Sequence, residues 1–238
     1  MLGSLVNKLL RKVVKEIKTV YNGFSLNNDL HWLQKYDFNT VIDIGANEGQ
    51  FAVFINQLFP QADIYSFEPI SECCEKIKDI SSVNDKIKPF NLALGNSNEK
   101  MEIFKNEFTP SSSLLKMTSL HIDNFPFTKN QVKELIEIKR IDDIYPELKI
   151  GNNLLVKIDV QGYEMDVLNG GLNFFTELSP LIVVETSFES LYENEPSFHD
   201  VYTKLLSLGY SFRGFLDQLY SPKDGSILQG DAIFEKKI

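Results

Sequence analysis

The sequence predicts a doubly wound α/β domain: a mostly parallel, seven-stranded sheet that ends in an antiparallel hairpin and carries an inserted strand pair. Three observations predict it. From residue 40 onward, short apolar runs alternate with stretches of helical periodicity, the pattern of βαβ units. A glycine-rich turn, Asp43-Ile-Gly-Ala-Asn-Glu-Gly49, follows the first apolar run and opens a helix. The last two runs have no helix between them, so if they pair they are antiparallel neighbours, because a parallel crossover needs a dozen or more residues.

The chain begins before that pattern does. Leu2, Leu5, Val6, Leu9, Val13, Ile17 and Val20 recur at helical spacing, so residues 2–21 read as an amphipathic helix. Residues 1–22 hold Lys8, Arg11, Lys12, Lys15 and Lys18 against Glu16 alone, in a chain whose formal net charge is −9. The division expected is an amphipathic N-terminal helix at 1–22 and one domain at 23–238. The helix's apolar stripe needs a partner: the domain itself, a second subunit, or an anionic membrane surface.

The first strand is read at Thr40–Ile44, and Phe51, Phe54, Ile55 and Leu58 mark the buried stripe of the helix after it. Residues 62–68 read as the second strand, 71–80 as a helix and 87–94 as the third strand. Residues 101–104 and 132–141 read as two strands around a long polar loop, a candidate substrate-side insertion. Alternation resumes with a fourth strand at 154–160, a helix at 163–168 and a fifth strand at 181–185. Phe198, Val201, Tyr202 and Leu205 give one more helical stripe, and residues 210–216 and 232–235 form the closing hairpin.

Composition narrows the function. Hydrophobic residues make up 43% of 238, enough for one substantial core. A net charge of −9 repels a polyanion, so no nucleic-acid partner is expected. Cys73 and Cys74 are adjacent in a predicted helix, where a vicinal disulfide is strained. That favours a reducing compartment. With no apolar run of about 18 residues and no signal-peptide pattern, the expected location is the cytoplasm, peripheral at the inner membrane face if the helix docks there.

The turn after the first strand lets a ligand approach the backbone at the sheet's carboxyl edge. Asp43 discriminates among ligands: a pyrophosphate wants amide donors and no nearby anion, whereas a cationic amino group or sulfonium suits one. Gly-x-Gly-x-x-Gly is absent, which disfavours a nicotinamide cofactor. The bland alternative is a tight turn with a buried capping Asp. Glu68, before Pro69 at the tip of the second strand, is placed for an acid that accepts both hydroxyls of a ribose. Asp159 ends the fourth strand and Glu185 the fifth. His121, in the insertion, is read as a solvated loop histidine, with a base as the alternative; His31 and His199 are assigned no chemistry, and no zinc spacing is present.

The chain resembles the FkbM family of methyltransferases. The residues that carry the resemblance are Val41 to Gly49, Phe67-Glu-Pro69, Asn91-Leu-Ala-Leu-Gly95, Ser112-Ser-Leu114, Arg140-Ile-Asp-Asp143, Leu155-Val-Lys-Ile-Asp-Val-Gln-Gly-Tyr-Glu164 with Val167-Leu-Asn-Gly170, and Val183-Val-Glu185. Many relatives carry Glu where Gln161 stands. The resemblance implies a Rossmann-like class I methyltransferase fold, S-adenosyl-L-methionine as methyl donor, and O-methylation of a sugar hydroxyl, in surface polysaccharide or glycolipid biosynthesis. The alternatives are a non-sugar secondary metabolite as acceptor, or an inactive cofactor-binding scaffold.

Carried over by position, Asp43, Gly45, Asn47 and Gly49 would line the methionine moiety, Glu68 the ribose, and Ala93 and Leu94 the adenine, with Ala46 and Pro69 also at the cofactor and Asp159 facing the methyl group. A protonated hydroxyl is a poor nucleophile, so the acceptor needs a base or a metal. Asp159 is the first candidate base and Glu185 the second. Together they are alternatively ligands for a divalent cation such as magnesium, and Asp159 alone is alternatively a helix cap. The polar loop residues Ser111, Ser112, Asn124, Tyr192, Asn194, Asp217, Gln218 and Tyr220 are expected to border a sugar acceptor.

Overall fold

A computed structural model describes residue 33 and residues 35–236; the amphipathic segment 2–21, the boundary at residue 22 and His31 lie outside it. Seven strands form the main sheet: β1 (Thr40–Ile44), β2 (Asp63–Phe67), β3 (Ile87–Phe90), then, after three strands that belong to a smaller sheet, β7 (Leu154–Ile158), β8 (Leu181–Ser187), β9 (Tyr210–Tyr220) and β10 (Ile227–Lys236). Their order is β3-β2-β1-β7-β8-β10-β9. β1 runs parallel to β2 and β7, β7 parallel to β8, and β10 antiparallel to both β8 and β9. This is the Rossmann-like layout expected, with the closing hairpin inserted so that β10 lies inside and β9 at the edge.

Two-residue periodicity explains why helices cover both faces. Ile42, Ile44, Val156, Ile158, Ile182 and Val184 point into one core cluster, which holds Val167, Phe174, Phe175, Val201 and Leu205. Val41, Leu155, Ile64 and Val183 point the other way, into a cluster with Ala52, Ile55 and Ile77. The helices that supply these residues are α1 (Gln50–Leu58), α2 (Ser71–Ser81), α5 (Glu164–Asn169), α6 (Leu172–Leu178) and α7 (Phe198–Ser207). Because the central strands are buried on both faces, they read as continuous apolar runs rather than alternating ones.

The insertion is a three-stranded sheet of its own, ordered β4-β6-β5, where β4 is Ala93–Leu94, β5 is Glu99–Asn106 and β6 is Gln131–Lys139. β5 and β6 form the expected strand pair, and it is antiparallel. The loop between them carries a short helix, α3 (Ser119–Asn124). Several boundaries differ from the sequence reading, two of them for reasons the contacts show. The third strand breaks at Asn91-Leu92, because Asn91 Nδ2 donates to the carbonyls of Glu68 and Pro69 (3.0 and 2.9 Å) and β4 then leaves for the small sheet. β6 stops at Lys139, and Ile141–Ile144 is a helical turn, α4; Asp142 there accepts the amides of Asn173 and Phe174 (3.2 and 2.9 Å) at the start of α6. The closing strands are also longer than predicted, leaving only residues 221–226 as their turn. Among the described residues, no helix is long and apolar enough to cross a membrane.

Candidate active site

One cavity of about 410 Å³ opens at the carboxyl edge of the sheet. Gly45, Ala46, Asn47, Glu68, Pro69, Ala93, Leu94, Asp159 and Glu185 all line it; Asp43 and Gly49 do not. Of the residues read from the sequence as cofactor-lining, those two are therefore displaced to supporting positions. Gly49 caps α1 at φ 84°, and a Cβ there would press on Ile77 and Ile80 at 3.2–3.3 Å, so its smallness serves helix packing.

Asp43 is fully buried, and neither carboxylate oxygen accepts a hydrogen bond. It is thus no capping residue. Burial raises its pKa to about 6, against the pull of Lys157. Gly45, at φ 82°, has a reason of its own. A Cβ would stand 1.8 Å from the Asp159 carbonyl oxygen, so the glycine lets the tips of β1 and β7 meet. The space it preserves is occupied by protein backbone as well as bordering the cavity.

Glu68 braces the turn. Its Oε2 accepts the Asn47 amide and its Oε1 the Ile70 amide, both at 2.8 Å, while the side chain is 5% exposed. Desolvation lifts its pKa to about 8 despite those two donors. Each oxygen keeps a second lone pair for a hydroxyl. Asn47, in the left-handed region at φ 48°, turns its side chain to the insertion, where Thr109 Oγ1 donates to Asn47 Oδ1 at 2.8 Å.

Asp159 sits just past β7 at the centre of a side-chain network. Lys157 Nζ reaches its Oδ2 at 2.7 Å, and Gln161 Nε2 donates to its Oδ1 at 2.8 Å and to Glu185 Oε2 at 2.7 Å. Gln229 Nε2 adds a bond to Glu185 at 3.1 Å. The helix-cap reading of Asp159 is not borne out: α5 begins after Tyr163 and has no side-chain cap. The turn that presents this network is held from beneath by Glu164, whose Oε1 accepts the amides of Val160 and Gly162 (3.2 and 3.1 Å), and from above by Ser113 Oγ, which donates to the Gln161 carbonyl at 2.5 Å. Desolvation and the charge of Asp159 push the Glu185 carboxyl well above the usual range. Asp159 is therefore the carboxylate paired with a lysine, and Glu185 the one biased toward its protonated form. Gln161 links the pair. Among the described residues, no group of three or more His, Cys, Asp or Glu side chains is arranged to hold a metal ion.

The sequence reading missed several lining residues: Lys157, Gln161, Gln229, Phe51, Phe108, Phe125 and Phe127. Lys157 and Gln161 stood within the quoted motif; the phenylalanines had no local signal. His121 is corrected outright. It is 3% exposed and lines the cavity, rather than standing in solvent. Of the polar loop residues expected at an acceptor, Ser111 and Ser112 line the cavity. Tyr192 is buried and spends its hydroxyl on Gln161 Oε1 (2.8 Å); Asn124 accepts from Ser221 (2.9 Å), and Tyr220 donates to Gln218 (2.7 Å). Asn194 and Asp217 are exposed and outside the lining. His199 is exposed on α7.

A parallel sheet with an inserted antiparallel strand, a glycine turn after β1 and acids at the tips of β2 and β7 define a class I, S-adenosylmethionine-dependent methyltransferase. The chain belongs to the methyltransferase FkbM domain family, whose model matches residues 43–212. It is 24% identical over 193 residues to the 2-O-methyltransferase NoeI of Sinorhizobium fredii, covering 78% of this chain and 79% of that protein. It is 27% identical over 191 residues to Methyltransferase 1 of Beauveria bassiana, covering 74% and 73%. The crystal structure of Methyltransferase FkbM from Methylobacillus flagellatus superposes with a TM-score of 0.54 at 15% identity, over 83% of this chain and 43% of that one, and so shares the fold. This chain thus spans less than half of that larger protein.

Proposed function

We propose that this protein is an O-methyltransferase that transfers a methyl group from S-adenosylmethionine to a hydroxyl of a sugar. The observation that carries the reading is that one continuous cavity is lined by Glu68, Ala93 and Leu94 together with Asp159, Glu185 and the loop between β5 and β6. The residues fit the donor. Gly45, Ala46 and Asn47 offer a backbone-lined floor for its methionine end, Glu68 has spare lone pairs for ribose hydroxyls, and Ala93, Leu94 and Ile70 offer apolar surface to an adenine. When bound, S-adenosylmethionine supplies a methyl carbon already activated by its sulfonium. The protein's own part is alignment, exclusion of water and removal of one proton.

Asp159 is the group for that proton. Lys157 and Gln161 fix its carboxylate in place, yet each oxygen retains a lone pair, and its side chain is 29% exposed, toward a cavity it lines. Asp159 would accept the proton that the acceptor hydroxyl loses when it is methylated. Glu185, pushed toward its neutral form by burial and the charge of Asp159, is less able to accept it. Oxygen methylation is supported by the similarity to a 2-O-methyltransferase. A cation held by Asp159 and Glu185 is the alternative activator, and a chelator followed by added magnesium distinguishes it.

The sugar class, and a place in surface polysaccharide or glycolipid synthesis, rest on the family resemblance, and on the basic, amphipathic segment 2–21 as a contact for membrane-borne substrate or for a second subunit. The test is release of S-adenosylhomocysteine with a panel of nucleotide sugars, lipid-linked glycans and non-sugar metabolites. A glycan is expected to turn over. If only non-sugar metabolites react, the acceptor class is wrong while the methyltransferase stands.

A further inference from the structure

The loop between β5 and β6 lines the cavity with rings. Phe108, Phe125, Phe127 and His121 line it together. Phe108 and Phe127 meet edge to face at 5.4 Å, and the His121 imidazole packs against Phe125 at 5.6 Å and Tyr192 at 5.0 Å. Phe108 and Phe127 are 43% and 62% exposed. Large apolar rings left this open on a cavity wall are surface awaiting a ligand face rather than core.

His121 is the unusual member. It is 3% exposed, yet neither ring nitrogen has a hydrogen-bond partner in the protein. Its place in α3 requires only its backbone, which the Thr118 hydroxyl caps. Phenylalanine would fill the same space between Phe125 and Tyr192 without burying two polar atoms. Burial lowers its pKa to about 4, so the imidazole is neutral and offers one donor and one acceptor. Its neighbour Tyr192 donates to Gln161, which in turn donates to Asp159 and Glu185. His121 thus stands on the acceptor side, linked to the candidate base through two side chains.

We propose that His121 with Phe108, Phe125 and Phe127 is the acceptor subsite: the phenylalanines pack on the apolar face of a pyranose ring, and the imidazole hydrogen-bonds a ring hydroxyl other than the one methylated. This rests on the reading of the cavity given above. The subsite selects polyhydroxylated rings over apolar rings of the same size, because an apolar ring leaves the imidazole unpaired.

The probes are methyl hexopyranosides, with cyclohexanol as the ring lacking further hydroxyls, added to the protein saturated with S-adenosylhomocysteine and followed by imidazole and aromatic NMR. The hexopyranosides are expected to shift the His121 signals of the unmodified protein. His121→Phe is expected to weaken their binding at least tenfold, His121→Gln to restore it to within about threefold, and cyclohexanol binding to be indifferent to either change. Affinity for S-adenosylhomocysteine, measured by calorimetry, is expected to stay the same in all three proteins. Equal hexopyranoside binding by the unmodified protein and His121→Phe overturns the subsite, as does a protein that binds S-adenosylhomocysteine but no hexopyranoside. Failure of the unmodified protein to bind S-adenosylhomocysteine strikes the cofactor reading instead.

Discussion

At the Gly45 end of the cavity the walls are fixed by backbone; at the His121 end they are made of side chains brought from far apart. The Gly45 and Ala46 amides both donate to the Phe67 carbonyl at 3.0 Å, the Asp159 amide donates to Ile44, and Glu68 ties the Asn47 and Ile70 amides together. The acceptor end instead draws Phe108 and His121 from the insertion, Leu191 from the segment after β8, and Leu219 and Gln229 from the closing hairpin. A shared donor needs one geometry, and backbone supplies it. A variable acceptor needs replaceable side chains on loops, which a scaffold can alter without losing its sheet.

The sharpest way to break this comparison is at Gly45. If the donor end is a meeting of backbones, Gly45→Val damages the fold before it damages binding, since its Cβ would overlap the Asp159 carbonyl and its φ is 82°. Urea unfolding is expected to show a loss of roughly 3 kcal/mol or more. A variant with unchanged stability that merely fails to bind S-adenosylhomocysteine would mean that the ligand, not β7, fills that space.

The junction between the two ends is Asp159, and there the expected effect is on turnover. Asp159→Asn removes the proton acceptor but keeps an oxygen for Lys157 or Gln161, so turnover is expected to fall roughly 100-fold. Cofactor affinity is expected to remain within a few-fold. A parallel collapse of cofactor affinity would move Asp159 wholly to the donor end.

The same contrast explains what could be read from the sequence. The main strands, the insertion and the hairpin followed from periodicity and connection length, both local properties. Gly45, Glu68 and Asp159 were visible because a turn, a strand tip and a motif mark them in one dimension. Asp43 and Gly49 were visible for the same reason yet act from behind the wall, because sequence spacing does not say which way a side chain at a strand end faces. The break at Asn91 depends on carbonyls more than 20 residues away. His121 was misread because a loop position in a polar segment gives no hint that Tyr192, 71 residues on, and Phe125 will enclose it.

Glu68 gives the smallest and most discriminating test, because it belongs to both the turn and the ligand. Glu68→Gln keeps the shape but can accept only one of the Asn47 and Ile70 amides, and turns an NH₂ toward the other. Affinity for S-adenosylhomocysteine is expected to weaken by about 1 to 3 kcal/mol. A pH series separates the bracing role from binding. In the ligand-free protein Glu68 has a pKa near 8 and Glu164 also about 8, both raised by burial above the 4.5 of an ordinary glutamate. Between those values the folded state holds protons that the unfolded chain has released, so stability falls as pH rises from about 5 to 8 and levels off above. Thermal melting of Glu68→Gln is expected to fall less over that window, since one of the two carboxyls no longer has to ionise in the interior. An identical pH slope in the two proteins would show that Glu68 is already ionised in the folded state, paired with the turn amides strongly enough to offset its burial.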